Sequence, residues 1–291
     1  MNRLTLDELM VRAEALIEAM PYVSKFRGTR VVIKYGGAAM VDADLKAAVI
    51  QDLHLMQTVG IRPVVVHGGG KEITQLLQQL GTETTFVDGQ RVTSQAALDV
   101  AEMVLAGRIN GEITAALNTR GARAVGISGK GGSLLHARKL ASASGNDLGY
   151  VGEIAEVRPH IIEVLTEGGF IPVIAPLGLG ADGQSYNINA DVAAEAIAVA
   201  LKADKLIFLS DIPGLMRDPR DESSVIGTIH RNEVEKLIAD GIASGGMIPK
   251  LRSAAKALDA CGKVHILDGR RRHSLLLELF TDKGIGTQIV P

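Results

Sequence analysis

Two short apolar runs in this chain end the same way. Residues 30–37 read RVVIKYGG and residues 62–70 read RPVVVHGGG. Each is a β-branched run that meets glycine, and each leads into a helical pattern: ADLKAAVIQDLHLMQTVG after the first, KEITQLLQQLG after the second. Strands separated by helices pair in parallel through right-handed crossovers, which restricts the chain to an α/β sheet with helices on its faces. Glycine is the residue most costly to order, so the three at 68–70 need a reason. Three are open: a tight strand-to-helix turn, a close crossing of two backbones, or a cradle of backbone N–H groups for an anion. Ligands in open α/β sheets bind at the carboxyl ends of strands, and the recurrence at two such ends favours the cradle.

The rest of the chain repeats the alternation. ARAVGISGKGG, FIPVIAPLG, DKLIFLSD, GKVHILDG and GTQIV read as strands. HIIEVLTEGG, ADVAAEAIAVALKA, EVEKLIADGI, IPKLRSAAKALDAC and HSLLLELF read as helices, and TSQAALDVAEMVLAGRINGEITAALNTRG as one long helix or two shorter ones. Residues 133–156 are polar and turn-rich and suit short strands and hairpins. A first helix, TLDELMVRAEALIEAM, opens on a T-x-x-E capping box and meets Pro21, which ends or kinks it. It precedes the first strand, so it packs on its own domain or reaches to another subunit. One continuous sheet in two lobes, divided near residue 200, accommodates the 291 residues.

Composition removes several classes. A net charge of -2 offers no electrostatic case for nucleic acid or an anionic membrane. The single cysteine, Cys261, allows no internal disulfide and no cysteine-rich zinc site, and the seven histidines show no ligand spacing. No apolar run is long enough to span a bilayer, and the acidic N-terminal stretch is wrong for a secretory signal, so a cytoplasmic location is expected. There is no GxxxxGK[ST]. A literal GxGxxG at Gly178, Gly180 and Gly183 is followed by QSYNIN rather than a helix and reads better as a hairpin turn.

Three charged residues stand out. Lys34 interrupts an apolar strand two residues before Gly36, and either snorkels to the surface or meets a phosphate. Lys250 follows a glycine pair at a helix start, where a cation opposes the dipole and calls for a compensating anion. Asp191, in NINAD, stands at another helix start and is by itself an ordinary first-turn acid.

KYGG, HGGG with its helix, GQRVT, NINAD, LSDIPGL and GGMIPK occur in this order along nearly the whole chain. The set resembles the amino acid kinase family, in the branch that phosphorylates N-acetyl-L-glutamate for arginine biosynthesis. The first helix with PYVSKF, and the ending HILDGRRRHSLLLELFTDKGIGT, are similar to its arginine-inhibited hexameric members. The resemblance implies a three-layer αβα sandwich around a mostly parallel open sheet with an N-terminal extension helix. Residues 1–26 would oligomerise, 27–200 would form a lobe that binds the amino-acid substrate and dimerises, and 201–291 a lobe for ATP and arginine.

The resemblance also implies roles for residues. Lys34 and Lys250 would act on the transferring phosphoryl group, with Asp191 holding both. Gly36 and Gly37 would meet phosphate, and Gly37 and Gly69 would donate backbone N–H groups. Gly69 and Gly70 would line the acetylglutamate pocket, where Arg91 grips the α-carboxylate and Asn187 the acetamido N–H. Without the resemblance Arg91 is a surface loop arginine. Asp211, Gly214 and Leu215 would form the nucleotide turn, with Ser244 beside the adenine or ribose. ATP is the implied co-substrate, its Mg2+ held mainly by phosphate oxygens, and no protein ligand is assigned to the metal. Tyr22, Lys205, Glu278 and Gly284 match an arginine site, and the first helices would pair dimers into a trimer of dimers. A nitrogen-signalling protein is a further partner of such enzymes that no motif here supports. Sister kinases acting on aspartate, glutamate, carbamate or an aminoadipyl carrier protein are the rivals, with a non-catalytic nucleotide or arginine sensor as the alternative of another class.

Overall fold

A computed structural model of the chain describes residues 5–82, 85–87, 90–142, 145–281 and 284–291. Residues 1–4 of the N-terminal segment and Gly89, which opens GQRVT, lie outside the described residues. Helix α1 (Leu6–Phe26) precedes β1 (Arg30–Tyr35), α2 (Ala43–Thr58), β2 (Arg62–His67) and α3 (Gly70–Gln79). The short strands β3 (Phe86–Val87) and β4 (Gln90–Arg91) lead to α4 (Gln95–Glu102) and α5 (Asn110–Thr119), joined by a π-helical stretch, Met103–Ile109. Then come β5 (Ala124–Ser128), β6 (Leu135–Lys139), β7 (Val151–Val157), α6 (His160–Glu167), β8 (Ile171–Ala175), β9 (Leu177–Leu179), β10 (Ser185–Ile188) and α7 (Ala190–Ala200). The remainder is β11 (Lys205–Ser210), β12 (Thr228–His230), α8 (Val234–Ala239), α9 (Met247–Ala257), β13 (Lys263–Asp268), α10 (Ser274–Leu279) and β14 (Thr287–Val290).

The large sheet has the order β12-β14-β13-β11-β1-β2-β8-β5. Its pairs are parallel except β13 with β14, where the closing strand returns antiparallel. From β1 the chain moves to one side to make β2 and later returns on the other side as β11. Lys34 therefore pairs in register with both Val66 and Phe208. A strand with neighbours of opposite chain direction of travel marks a switch point, and the loops leaving it open a crevice at the carboxyl ends.

Alternation along β1 decides which helices face that crevice. Val31, Ile33 and Tyr35 point into a core with α2, α3, α4, α5 and α10. Val32 points into a second core with α6, α7, α8 and α9. Side chains two apart in a strand share a face, so Lys34 joins Val32 on the side of α7 and α9.

Two features differ from the simplest reading of the sequence and a third agrees with it. Helix α1 does not stop at Pro21 but continues to Phe26, since a proline removes one N–H donor and an exposed helix leaves the freed carbonyl to water. Its capping box forms, with Thr5 Oγ1 accepting the Glu8 N–H and Glu8 accepting the Thr5 N–H, yet none of its 21 residues is buried. The polar stretch after residue 133 is more than hairpins: β6 and β7 close a small barrel with β9 and β10. The literal GxGxxG lies in the antiparallel β9–β10 hairpin, with Gly183 in the left-handed region.

Candidate active site

At the carboxyl end of β1 three side chains converge. Asp191 Oδ1 lies 2.9 Å from Lys34 Nζ and Asp191 Oδ2 lies 2.6 Å from Lys250 Nζ. Asn189 sets this up: its side-chain oxygen caps α7 by accepting the N–H groups of Asp191 (2.8 Å) and Val192 (3.4 Å). Asp191 is thereby fixed in the first turn, facing the strand that carries Lys34. Burial alone would raise the Asp191 pKa, but the charges of Lys34 and Lys250 outweigh it and hold the carboxyl down at about 2. Burial pulls the Lys250 pKa below its ordinary value, with Asp191 opposing and Lys34 assisting. The anion that a cation at the start of α9 requires is thus Asp191.

Two cavities meet at this cluster. One, of about 310 Å³, is lined by Lys34, Gly36, Gly37, Gly68, Gly69, Gly70, Arg91, Asn187 and Asp191 among others. The other, of about 540 Å³, is lined by Lys34, Gly37, Asp211, Gly214, Leu215, Ser244 and Lys250 among others. Lys34 and Gly37 line both. All of the residues expected to hold phosphate, acid or nucleotide fall on one of these two walls.

In the first cavity, Arg91 does not wave in a loop. Its Nη2 donates to Thr74 Oγ1 (2.6 Å) and to the Gly70 carbonyl (3.1 Å), and its guanidinium lies 4.8 Å from the centre of the Phe86 ring. Its Nη1 is buried without a hydrogen-bond partner. A cation fixed on one edge and unspent on the other has the chemistry to receive a carboxylate. Thr74 and Phe86 were not singled out from the sequence. Thr74 lies one helical turn after Gly70, and Phe86 faces Arg91 across the β3–β4 pair, so helical spacing and the Asp-Gly hairpin signal at 88–89 would have pointed to them. Asn187 sits on β10 and lines the same cavity, its backbone N–H given to the Tyr150 carbonyl.

The glycines of HGGG separate into different roles. A Cβ at Gly69 would sit 2.5 Å from Ile109 Cδ1 and 2.6 Å from Leu105 Cδ2, so the π-helical stretch demands glycine there irrespective of any ligand. A Cβ at Gly70 would meet nothing within 4 Å. Gly70 is the residue at which open space, rather than protein, faces the chain.

On the second wall, Gly37 has φ +68°, and a Cβ there would run into the Asp211 carboxylate. Asp211 Oδ1 accepts the Ala38 N–H at 2.5 Å, tying β11 to the turn after β1. Gly214 has φ +154° and packs on Thr287, whose hydroxyl accepts the Leu215 N–H at 2.8 Å. Among the described residues no group of three or more His, Cys, Asp and Glu side chains is arranged to hold a metal ion.

A third cavity, of about 380 Å³, lies away from the crevice and brings together Tyr22, Lys205, Glu278 and Gly284. Glu278 Oε1 lies 2.7 Å from His265 Nδ1, and its Oε2 accepts the Ile285 N–H at 3.0 Å. Gly284 lets the chain pass that carboxylate: a Cβ would come within 2.8 Å of Oε2. Lys205 Nζ lies 4.8 Å from the centre of the Phe26 ring, and burial lowers its pKa against the attraction of Glu278. His265 was not picked out from the sequence, where a lone histidine in a strand carries no signal.

The profile of the amino acid kinase family matches residues 29–268. An acetylglutamate kinase from Syntrophomonas wolfei is 54% identical over 282 residues, covering 97% of this chain and 98% of that protein. Another from Desulfitobacterium hafniense is 53% identical over 291 residues, with 97% and 98% covered. Among solved structures, the N-acetylglutamate synthase of Neisseria gonorrhoeae complexed with coenzyme A and N-acetyl-glutamate has a TM-score of 0.85 at 29% identity, covering 96% of this chain but 63% of that one. Carbamate kinase from Giardia lamblia bound to AMP-PNP has a TM-score of 0.66 at 19% identity, covering 90% and 98%, a likeness of fold alone.

Proposed function

Because this chain belongs to the amino acid kinase family and is a kinase, we propose that it transfers the γ-phosphoryl group of ATP to the side-chain carboxylate of N-acetyl-L-glutamate. The products are N-acetyl-L-glutamyl 5-phosphate and ADP, an early step toward L-arginine. The observation that carries the reading is the pair of lysines on one carboxylate where two cavities meet.

A free carboxyl group has a pKa near ~4, so the nucleophile is already ionised at neutral pH and no general base is needed. The obstacle is bringing one anion up to another. A carboxylate oxygen forms the new P–O bond as the bond to the ADP oxygen breaks, with charge spreading over the transferring oxygens. Lys34, on both walls, and Lys250, on the nucleotide wall, meet that charge from two sides. Asp191 holds the two ammonium groups in place before the substrates arrive and opposes the loss of the Lys250 proton. Backbone N–H groups at Gly37 and Gly69 add donors, with Gly36 in the same turn. Losing one such preorganised charge costs about 3–4 kcal/mol in the barrier. Arg91 presents its unspent edge to the α-carboxylate, Gly70 leaves room for the substrate, and Asn187 accepts the acetamido N–H. Asp211, Gly214, Leu215 and Ser244 hold the nucleotide. Mg2+ carried on the phosphate oxygens supplies further charge neutralisation, and Asp191, engaged by both lysines, is not its ligand.

Trapping the acyl phosphate with hydroxylamine, over a panel of acetylglutamate, glutamate, aspartate and carbamate with ATP, tests the assignment. Hydroxamate from acetylglutamate alone is the expected result. Product from a sister substrate in its place, or none from any acid, contradicts it. At over 50% identity to proteins named acetylglutamate kinase, the acetylglutamate branch has the stronger support.

The lobe division follows from the same reading. The acid cavity is lined by residues between 34 and 191, whereas the nucleotide cavity adds residues from 209 to 250 to Lys34 and Gly37. The third cavity suits L-arginine as a feedback inhibitor, with Glu278 taking the guanidinium and Lys205 near the carboxylate. Exposed Leu6, Leu9, Met10, Leu16, Ile17 and Met20 give α1 an apolar surface for pairing dimers into a hexamer. Deleting about 20 N-terminal residues, as the linkage of assembly to ligand binding requires, should break the hexamer and weaken arginine binding by calorimetry. An intact hexamer with undiminished inhibition contradicts that link.

A further inference from the structure

Behind the HGGG stretch lies a buried polar contact that lines neither cavity. Asn110, the first residue of α5, is 4% exposed, and His67, the last of β2, is 0% exposed. Asn110 Nδ2 lies 2.9 Å from the Val173 carbonyl, 3.2 Å from the Ile127 carbonyl and 3.2 Å from His67 Nε2. His67 Nδ1 lies 3.0 Å from the Gly68 carbonyl. The strand neighbour leaves space for this: a Cβ at Gly126 would run into the Asn110 side-chain oxygen.

Donor and acceptor roles follow from the two carbonyls. A carbonyl only accepts, so both fix the amide with its NH2 toward the sheet. An N–H on His67 Nε2 would point at the amide nitrogen, which cannot accept it, so Nε2 carries no proton and shares the two N–H donors of Asn110 with the carbonyls. The proton sits on Nδ1 and donates to the Gly68 oxygen. Burial, opposed by the bond to Gly68, lowers the His67 pKa to about 4, so the ring is neutral at pH 7. In a trans peptide the C=O and N–H point in opposite directions. With its oxygen held back toward His67, the Gly68–Gly69 peptide turns its Gly69 N–H away from His67, and Gly68 and Gly69 line the first cavity together with Lys34.

We propose that Asn110 and His67 are positioning residues for phosphoryl transfer, fixing the Gly68–Gly69 peptide so that the Gly69 N–H is aimed at the reacting group. The proposal rests on the kinase reading above for what that N–H stabilises. It also gives the π-helical stretch a purpose. Its extra residue per turn carries Leu105 and Ile109 onto Gly69 and brings Asn110 to His67 from the same side. Asn110 and His67 touch neither substrate and are not catalytic residues.

The test uses the full-length protein labelled with 15N-histidine, the His67 signal being the one lost in His67→Asn. In the parent protein the nitrogen shifts should report a proton on Nδ1 and none on Nε2. Asn110→Ala should populate the other tautomer and lower kcat by about 10- to 100-fold, less than deletion of an oxyanion donor, with the KM for ATP changed less than about 3-fold. His67→Asn keeps an N–H donor at the Nδ1 position and should retain kcat within about 3-fold, whereas His67→Leu should lose as much as Asn110→Ala. A proton on Nε2 in the parent protein overturns the proposal, and so does Asn110→Ala altering the tautomer with kcat intact. Equal losses in His67→Asn and His67→Leu overturn it as well. The tautomer is read on the parent protein without substrate, so neither a variant that fails to fold nor a wrong substrate assignment removes the test.

Discussion

Replacing Asp191 by asparagine keeps the size and shape of the side chain and deletes the charge between two lysines. At an effective dielectric near 20, a unit charge pair about 4 Å apart is worth about 4 kcal/mol. Asp191 makes two such pairs, with Lys34 and Lys250 side chains only 16% and 10% exposed, so solvent screens them little. In Asp191→Asn both attractions vanish and the repulsion between the ammonium groups is uncompensated. The cheapest escape is for one lysine to give up its proton. Lys250 yields first, because burial and Lys34 already press its pKa down and Asp191 is what opposes them. Activity should then fall by at least about 100-fold at pH 8, the cost of losing one preorganised charge, and recover in part toward pH 6 as Lys250 regains its proton. The assay is kcat by acyl hydroxamate formation from pH 6 to 9, with both substrates saturating. A flat profile with kcat within about 3-fold of the parent would refute the idea that Asp191 keeps Lys250 charged.

Arg91→Lys should raise the KM for acetylglutamate about 10-fold with little change in kcat, because an ammonium cannot hold Thr74, the Gly70 carbonyl and a carboxylate as a planar fork does. Unaltered kinetics would remove Arg91 from the acid site. Gly69→Ala should lower stability by about 1–3 kcal/mol, since its Cβ collides with Leu105 and Ile109. Gly70→Ala should leave the thermal midpoint unchanged or higher while raising the KM for the acid, and the opposite ranking would contradict the roles given to the two glycines. Asp52 is fully buried, and burial raises its pKa to about 6 against the lowering effect of His273, whose Nδ1 lies 2.6 Å away. A carboxyl that binds its proton more tightly in the folded chain contributes most below its unfolded pKa of about 4, and loses that contribution as pH rises through 6. Asp52→Asn should therefore stabilise the protein above pH 6, by up to about 3 kcal/mol, and have little effect near pH 4. Denaturation midpoints that shift equally at pH 4 and pH 8 would contradict this.

The parts of the site that were legible in the sequence are those written locally. Two strand ends with glycine, a lysine two residues before Gly36, and Asp191 at a helix start each lie within a few residues, and strand alternation puts Lys34 on the same face as Val32, which the structure shows to be that of α7 and α9. What escaped depends on elements that cross. The requirement for glycine at 69 comes from Leu105 and Ile109, about 40 residues away along the chain, where no local pattern signals it. The π-helical stretch between α4 and α5 reads as ordinary helix because its seven residues are too few to reveal a change of period. Thr287 supports Leu215 across 72 residues of chain. Pro21 shows the reverse: of the two readings, ending or kinking the helix, the first is excluded, because an exposed helix has little to lose by continuing through it.

Rapid-quench single-turnover measurement of acetylglutamyl phosphate, with ATP and acid both bound in excess of their dissociation constants, tests the role of the two lysines most directly. Lys34→Ala should slow the chemical step by about 100- to 1,000-fold while both substrates still bind. A chemical step as fast as the parent's would mean that the junction of the two cavities is not where the phosphoryl group is transferred.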